Sequence, residues 1–456
     1  MAETYDIVFR GGTVVTPDGA AVRDVGVRGQ RIAAIGAIAP VQGGKVIDCT
    51  GLHILPGVID TQVHFREPGG MHKEDLETGS RAAVLGGVTA VFEMPNTDPP
   101  TTTEKALADK LARAKGRMHC DHAFFIGGTR GNIDELPELE RLAGCAGVKI
   151  FVGSSTGSLL VDDEAALGRI FEVIRRRCAL HCEDEARLNE RKDLRVEDDP
   201  KSHAVWRDAE AALIATRRVI RLARAKGARV HILHVSTSGE MRYLVDHKDV
   251  ATVEATPHHL TLAAEEAYPR LGTYAQMNPP IRARVHVEGV WWGVRQGIVD
   301  VLGSDHAPHT RDEKQQPYPA SPSGMPGVQT LVPVALTEVA RGRLTLSRFV
   351  DLTSAGPARI YGIANKGRIA VGYDADFTVV DLRRREIIHN RWIASRAGWT
   401  PYHGMEAQGW PIGTVIRGTV VMWDGEIVTR RAGAPVRFLE TLNARQPVGA
   451  STAATA

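Results

Sequence analysis

Seven places along the chain set side chains that can ligate a metal or move a proton at or near the end of an apolar run. Gln62 and His64 lie in VIDTQVHFREPGG (58–70), Asn96 in EMPNT (93–97) and Lys149 inside GVKIF (147–151). His181 opens HCED (181–184), His234 opens HVS (234–236), His258 and His259 close PHH (257–259), and Asp305 opens DHAPH (305–309). In extended chain alternate residues point the same way, so Gln62 and His64 share a side. A lysine within an apolar run is costly as a cation. Either its amine reaches water or a carboxylate, or the neutral amine has captured carbon dioxide. The resulting carbamate is an anion with two oxygens, suited to bridging two divalent cations. A lone strand-end histidine is ordinarily a hydrogen-bonded core residue. His64, His181, His234 and Asp305 arriving at one face with an unexplained lysine point instead to a metal site. Imidazole and carboxylate suit Zn2+, one or two per chain, and Mn2+ or Fe2+ can use the same ligands.

The elements that carry these groups recur. Apolar, β-branched runs occur at 57–65, 87–94, 119–127, 147–153, 179–182, 229–235, 250–256 and 298–303, with helix-like stretches such as Thr78 to Leu85 and Ala209 to Ala225 between most of them. Eight strand–helix repeats favour a closed (β/α)8 barrel, in which the C-terminal strand ends form the active face. No Gly-x-Gly-x-x-Gly follows a strand, which weakens a dinucleotide-binding alternative. Both ends of the chain read as short strands joined by tight turns, as in Thr13-Val14-Val15 and Val420-Val421. The expected organisation is a small β-sandwich from 1–55 and 362–440, a barrel from 56–361, and a frayed Ala/Thr-rich tail over 441–456.

The 456 residues carry 56 Lys and Arg against 54 Asp and Glu, with no long block of one sign. Binding to nucleic acid through a basic face is therefore not expected; Arg175–Arg177 and Arg383–Arg385 read as solvated element ends. No apolar run approaches the roughly 18 residues of a membrane span, and the N-terminus lacks the pattern of a signal peptide. The five cysteines are scattered, odd in number and without paired metal spacing. They read as reduced cytosolic thiols, so the expectation is a cytoplasmic protein with no membrane partner.

The motifs HFREPG (64–69), EMPNT (93–97), GVKIFVGSSTG (147–157), HCEDE (181–185), LHVST (233–237), EATPHHL (254–260), MNPPIR (277–282) and DHAPHT (305–310) resemble the cyclic amidohydrolases, and among them the dihydroorotases most closely. The resemblance implies a (β/α)8 barrel, zinc, and a homo-oligomer, dimer or tetramer. It implies reversible ring opening of dihydroorotate to N-carbamoyl-aspartate in pyrimidine biosynthesis. Carried over by position, it makes Lys149 the carbamylated bridging ligand. His181 and His234 would hold the second metal, and His64 and Asp305 the first. Arg66, Asn96 and His309 match residues that hold the substrate carboxylate, and Asn278 one whose backbone meets the ring. Bound zinc lowers the pKa of water to about 7 and polarises a carbonyl. Asp305 could take that water's proton and return it to the leaving nitrogen.

Gln62 stands where the family has a histidine, and an amide oxygen is a weaker zinc donor. The first metal then either keeps His64, the carbamate and Asp305, or is lost, leaving Lys149, His181 and His234 on the second. Two other readings remain. GMPGVQT (324–330) and GWTPYHGM (398–405) look as much like allantoinases, hydantoinases or dihydropyrimidinases. Gln62 alone supports a non-catalytic scaffold.

Overall fold

The computed structural model describes residues 4–39, 44–153, 157–429 and 431–448. Residues 154–156 of the GVKIFVGSSTG motif and 449–456 of the expected tail lie outside the described residues. Eight parallel strands follow one another in chain order: Val58–Val63, Val88–Glu93, Asp121–Gly127, Cys145–Phe151, Cys178–His181, Val230–Ile232, Ala251–Ala255 and Val301–Leu302. The first strand meets the segment after the eighth through a parallel bridge from Val63 to His306, where His64 N donates to His306 O at 2.7 Å. The result is a nearly closed barrel, as the eight apolar runs imply.

The helices outside it follow from local chemistry. Asp208 caps the helix Ala209–Lys226 by accepting from Ala211 N, and Gly227 ends it at φ 68. Its buried face, including Ala212, Ala215, Val219 and Ala223, recurs at spacings of three and four and covers the strands.

Inside the barrel, alternation sorts the chemistry into layers. In the fourth strand Val148 and Ile150 face the surrounding helices, while Ala146 packs within the barrel below Lys149. The floor is aromatic: Phe92 meets Tyr361 at 5.4 Å and Phe438 at 5.6 Å between ring centroids, each edge-on. Each such buried ring contributes about 1.5–3 kcal/mol. Phe438 belongs to a C-terminal segment that returns beneath the barrel, where Val436 N donates to His122 O at 2.8 Å.

The two chain ends build the second domain, a mixed sheet of nine strands among the described residues. Its order runs Glu426–Ile427, Thr419–Trp423, Glu406–Ile416, Phe377–Ile387, His53–Pro56, Ile7–Thr16, Gly19–Arg28 and Arg31–Gly36, with Lys45–Asp48 also on Ile7–Thr16. His53–Pro56 and Phe377–Ile387 pair antiparallel and join the two halves. Gly57 then leads directly into the first barrel strand, where a Cβ would stand 2.4 Å from Thr89 Oγ1. No helix among the described residues is long and apolar enough to cross a membrane.

Lys366 locks the two domains. Its buried amine lies 2.7 Å from Asp121 of the third barrel strand, 3.5 Å from Asp374, and on Asp376. Arg417 from the sheet completes the cluster on Asp121. Removing one partner of a buried ion cluster leaves the others uncompensated. Lys366→Met is therefore expected to cost about 3–5 kcal/mol, read as a lower urea midpoint at unchanged slope.

Candidate active site

The C-terminal strand ends enclose a cavity of about 120 Å3 that Gln62, His64, Arg66, Asn96, Lys149, His181, His234, Asn278 and Asp305 all line. Phe151, Met277, Ala307, Ser323 and Gly324 complete the wall. His309 does not line it and stands behind Arg66. The first strand is less regular than simple alternation requires. Its pairing with the second shifts register between Asp60 and Val63, while Ile59 and Thr61 belong to the layer below: Ile59 packs in the floor cluster and Thr61 bonds Glu254. That irregularity lets both Gln62 and His64 face the cavity. Arg66, His234 and Asp305 have φ of 62, 35 and 45, a conformation that costs non-glycine residues energy and that clusters at functional sites.

Lys149 is 1 % exposed. Its amine has no hydrogen bond or ion pair with the described residues, and the Phe151 ring centroid lies 4.4 Å from it. Burial lowers its pKa to about 7, so neither snorkelling nor a carboxylate explains it. Cys182 is no rival nucleophile, because burial raises its thiol to about 12.

Around the lysine, candidate ligands stand in two pairs. His181 Nδ1 faces His234 Nε2 at 2.9 Å, and His64 Nε2 faces Asp305 Oδ1 at 3.1 Å. Among the described residues no three His, Cys, Asp or Glu side chains converge as a ready metal cluster; a third donor to either pair must be of another type. The pairs nonetheless fit a cation. His64 Nδ1 also contacts Asn96 Oδ1 at 2.7 Å, and a neutral imidazole has one N–H for these two acceptors. His181 Nε2 contacts Glu183 Oε2 at 2.9 Å, which directs its N–H outward and leaves a lone pair at Nδ1 toward His234. A proton or a metal ion is needed in each gap. Burial would raise the Asp305 carboxyl, but the hydrogen bond from His64 and the charges of His234 and His64 bring it below its usual range.

Gln62 is built into this arrangement. Its Nε2 donates to Asp305 Oδ1 at 3.0 Å, and its buried Oε1 has no partner. Glu183 was not singled out among the candidate residues, although it sits in HCEDE; Arg207, which holds Glu183 through Nε at 3.3 Å and through Nη2, has no local signal at all.

Arg66 forms no ion pair with the described residues. Glu67, its neighbour in the chain, is taken by Arg113 and Arg117, and Glu93 by Lys110. Arg66 Nε instead donates to Pro308 O at 3.3 Å, and its Nη2 lies 3.3 Å from His309 Nε2. His309 Nε2–H donates to Ser323 O at 3.0 Å and its Nδ1 accepts from Lys73 Nζ at 3.2 Å, so the ring packs beside the guanidinium without accepting from it.

The profile of the Amidohydrolase family matches residues 53–421. A dihydroorotase of Halobacterium salinarum is 38% identical over 91% of this chain and 97% of its own length. One from Methanosarcina mazei is 37% identical over 87% of this chain and 89% of its own. Among solved structures, the L-hydantoinase (dihydropyrimidinase) from Arthrobacter aurescens superposes with a TM-score of 0.91 at 28% identity, covering 95% of this chain and all of that one.

A second buried lysine shapes the mouth of the cavity. Lys314 Nζ donates to Gln276 O at 3.2 Å and Pro322 O at 2.7 Å, tying together the two loops that carry Asn278 and Ser323. Burial lowers its pKa from 10.5 to about 7. Between about pH 7 and 10.5 the unfolded chain therefore holds a proton that the native amine has released, and stability rises with pH across that window. Lys314→Met is expected to lose this rise, measured as the difference in urea stability between wild type and variant at the two ends of the window.

Proposed function

The chain belongs to the Amidohydrolase family, and we propose that within it the protein is a metal-dependent hydrolase that opens dihydroorotate to N-carbamoyl-aspartate, reversibly. The coarser statement, an enzyme that hydrolyses cyclic amides, rests on the family match and on relatives that cover nearly the whole chain. The observation that carries the finer reading is Arg66, a guanidinium on the cavity wall with no carboxylate of its own. Its planar fork matches a substrate carboxylate, which uncharged rings do not offer.

In this reading Lys149 as its carbamate, His181 and His234 hold one divalent ion, and His64 and Asp305 hold or flank a second with Gln62 beside them. Zinc suits that donor set and supplies, when bound, an activated water and a polarised amide carbonyl. Asp305 takes the proton from the attacking water and passes it to the departing ring nitrogen. Gln62 Nε2 keeps that carboxylate aimed across the site. Asn278, on the opposite wall, orients the ring, and Asn96 fixes His64. The hydrogen bond from Gln62 to Asp305 gives the amide a place in the site and supports the enzymatic reading over a non-catalytic scaffold.

A second reading has its own support: the solved structures named by similarity act on hydantoins or dihydropyrimidines, and the backbone overlap is close. A panel of dihydroorotate, dihydrouracil, hydantoin and allantoin separates the two. Turnover is expected on dihydroorotate, with about one or two zinc ions per chain by elemental analysis. Arg66→Ala is expected to raise KM for dihydroorotate about 10–100-fold with a smaller change in kcat. An unchanged KM would move the assignment to the uncharged rings, and a chain that binds no divalent ion would overturn the metal-dependent reading.

A further inference from the structure

One turn of helix joins the two halves of the cavity from behind. His203–Trp206 is a short helix ending at Arg207, and Arg207 N donates to His203 O at 3.2 Å to close the turn. Residues four apart lie on one helix face, and both side chains are buried, at 3 % and 4 % exposure. They reach different walls. Arg207 grips both oxygens of Glu183, whose Oε2 takes the N–H of His181. His203 Nε2 lies 2.9 Å from Asn278 Oδ1 and 3.1 Å from Met277 O, with the Ser323 hydroxyl at 3.4 Å. All three of these residues line the cavity.

The turn is itself anchored. Arg282 donates through Nη1 to Arg207 O, and through Nε to Ser236 Oγ at 3.3 Å, two residues beyond His234. The strand ends bearing His181 and His234 are thereby tied to the same backbone as the wall that carries Asn278.

We propose that Glu183 and Arg207 are positioning residues that fix His181 with Nδ1 toward the metal, and that His203, one turn away, is a positioning residue for the ring of the substrate through Asn278. The inference rests on the metal-dependent reading above. An ionised Glu183 accepting from Nε2 leaves only the tautomer with a lone pair at Nδ1, which is the atom that faces His234. His203 does not contact the His181 pair, so the two effects are separable although they start from one helical turn.

Four variants test this: Glu183→Gln, Arg207→Met, His203→Ala and His203→Gln. Each is compared with wild type for Zn2+ affinity by competition with a chromophoric chelator in bicarbonate buffer. Each is also assayed at saturating Zn2+ for kcat and KM on whichever panel substrate the wild type turns over. Glu183→Gln and Arg207→Met are expected to weaken Zn2+ binding about 10–100-fold with KM within about twofold. His203→Ala is expected to keep the wild-type Zn2+ affinity and to raise KM about tenfold, and His203→Gln, whose amide N–H can reach Asn278, to recover most of that loss. Thermal unfolding confirms that each variant folds; should Arg207→Met not fold, the isosteric Glu183→Gln decides the metal arm. Wild-type affinity in Glu183→Gln, or loss of Zn2+ in His203→Ala to the same extent, overturns the inference while leaving the proposed function standing. A wild type that binds no Zn2+ overturns both.

Discussion

The amine of Lys149, enclosed in a parallel barrel with no ion pair to the described residues, is the constraint on which the rest of the site turns. A desolvated ammonium is too costly to keep, so the residue is tolerated as a neutral amine or as something made from it. Everything at that depth is arranged around the choice. The layer below is apolar and aromatic, which denies the amine water. The layer above is imidazole, carboxylate and amide, which becomes coherent once positive charge lies between its members.

Elsewhere the molecule treats buried charge differently. Lys366 is answered by Asp121, Asp374 and Asp376, Lys110 by Glu93, and Arg207 by Glu183. These clusters hold strands and domains in register, and none of their cations is left without an acceptor. Lys149 and Arg66, which line one cavity, form no ion pair with the described residues. Lys314 and Arg282 also lack a carboxylate and are held by backbone carbonyls instead; Lys149 and Arg66 differ in lining the cavity, as the proposed carbamate and substrate carboxylate require.

Much of this was legible in the sequence, for physical reasons. A strand buried on both faces must be a continuous apolar run, so the eight runs marked the barrel, and a polar residue at such a run's end stands out. The limits are equally physical. Period-two reasoning put Gln62 and His64 on one face, but only the register shift after Asp60 makes this compatible with Ile59 and Thr61 lying in the layer below. His309 comes to the site only through the match of motifs; that its ring nitrogens meet Ser323 O and Lys73 Nζ is visible only in the fold. Arg207 and His203 serve the site through space rather than through motif, from a segment whose sequence, HAVWR, reads as ordinary short helix. From sequence Gln62 is a weak ligand or a sign of a scaffold; its bond to Asp305 is hidden because that acceptor lies 243 positions away.

The return of the C-terminal segment beneath the barrel has a consequence for how the molecule is made. Val436 and Phe438 seal a floor whose other members, Phe92, Phe125 and Tyr361, leave the ribosome much earlier. The deepest layer of the barrel is thus completed by a segment that lies beyond all eight of its strands. Contacts this distant in sequence carry a large closure entropy and form slowly. Until they do, the barrel is an open cup with an aromatic underside, and the site at its other end lacks a rigid base.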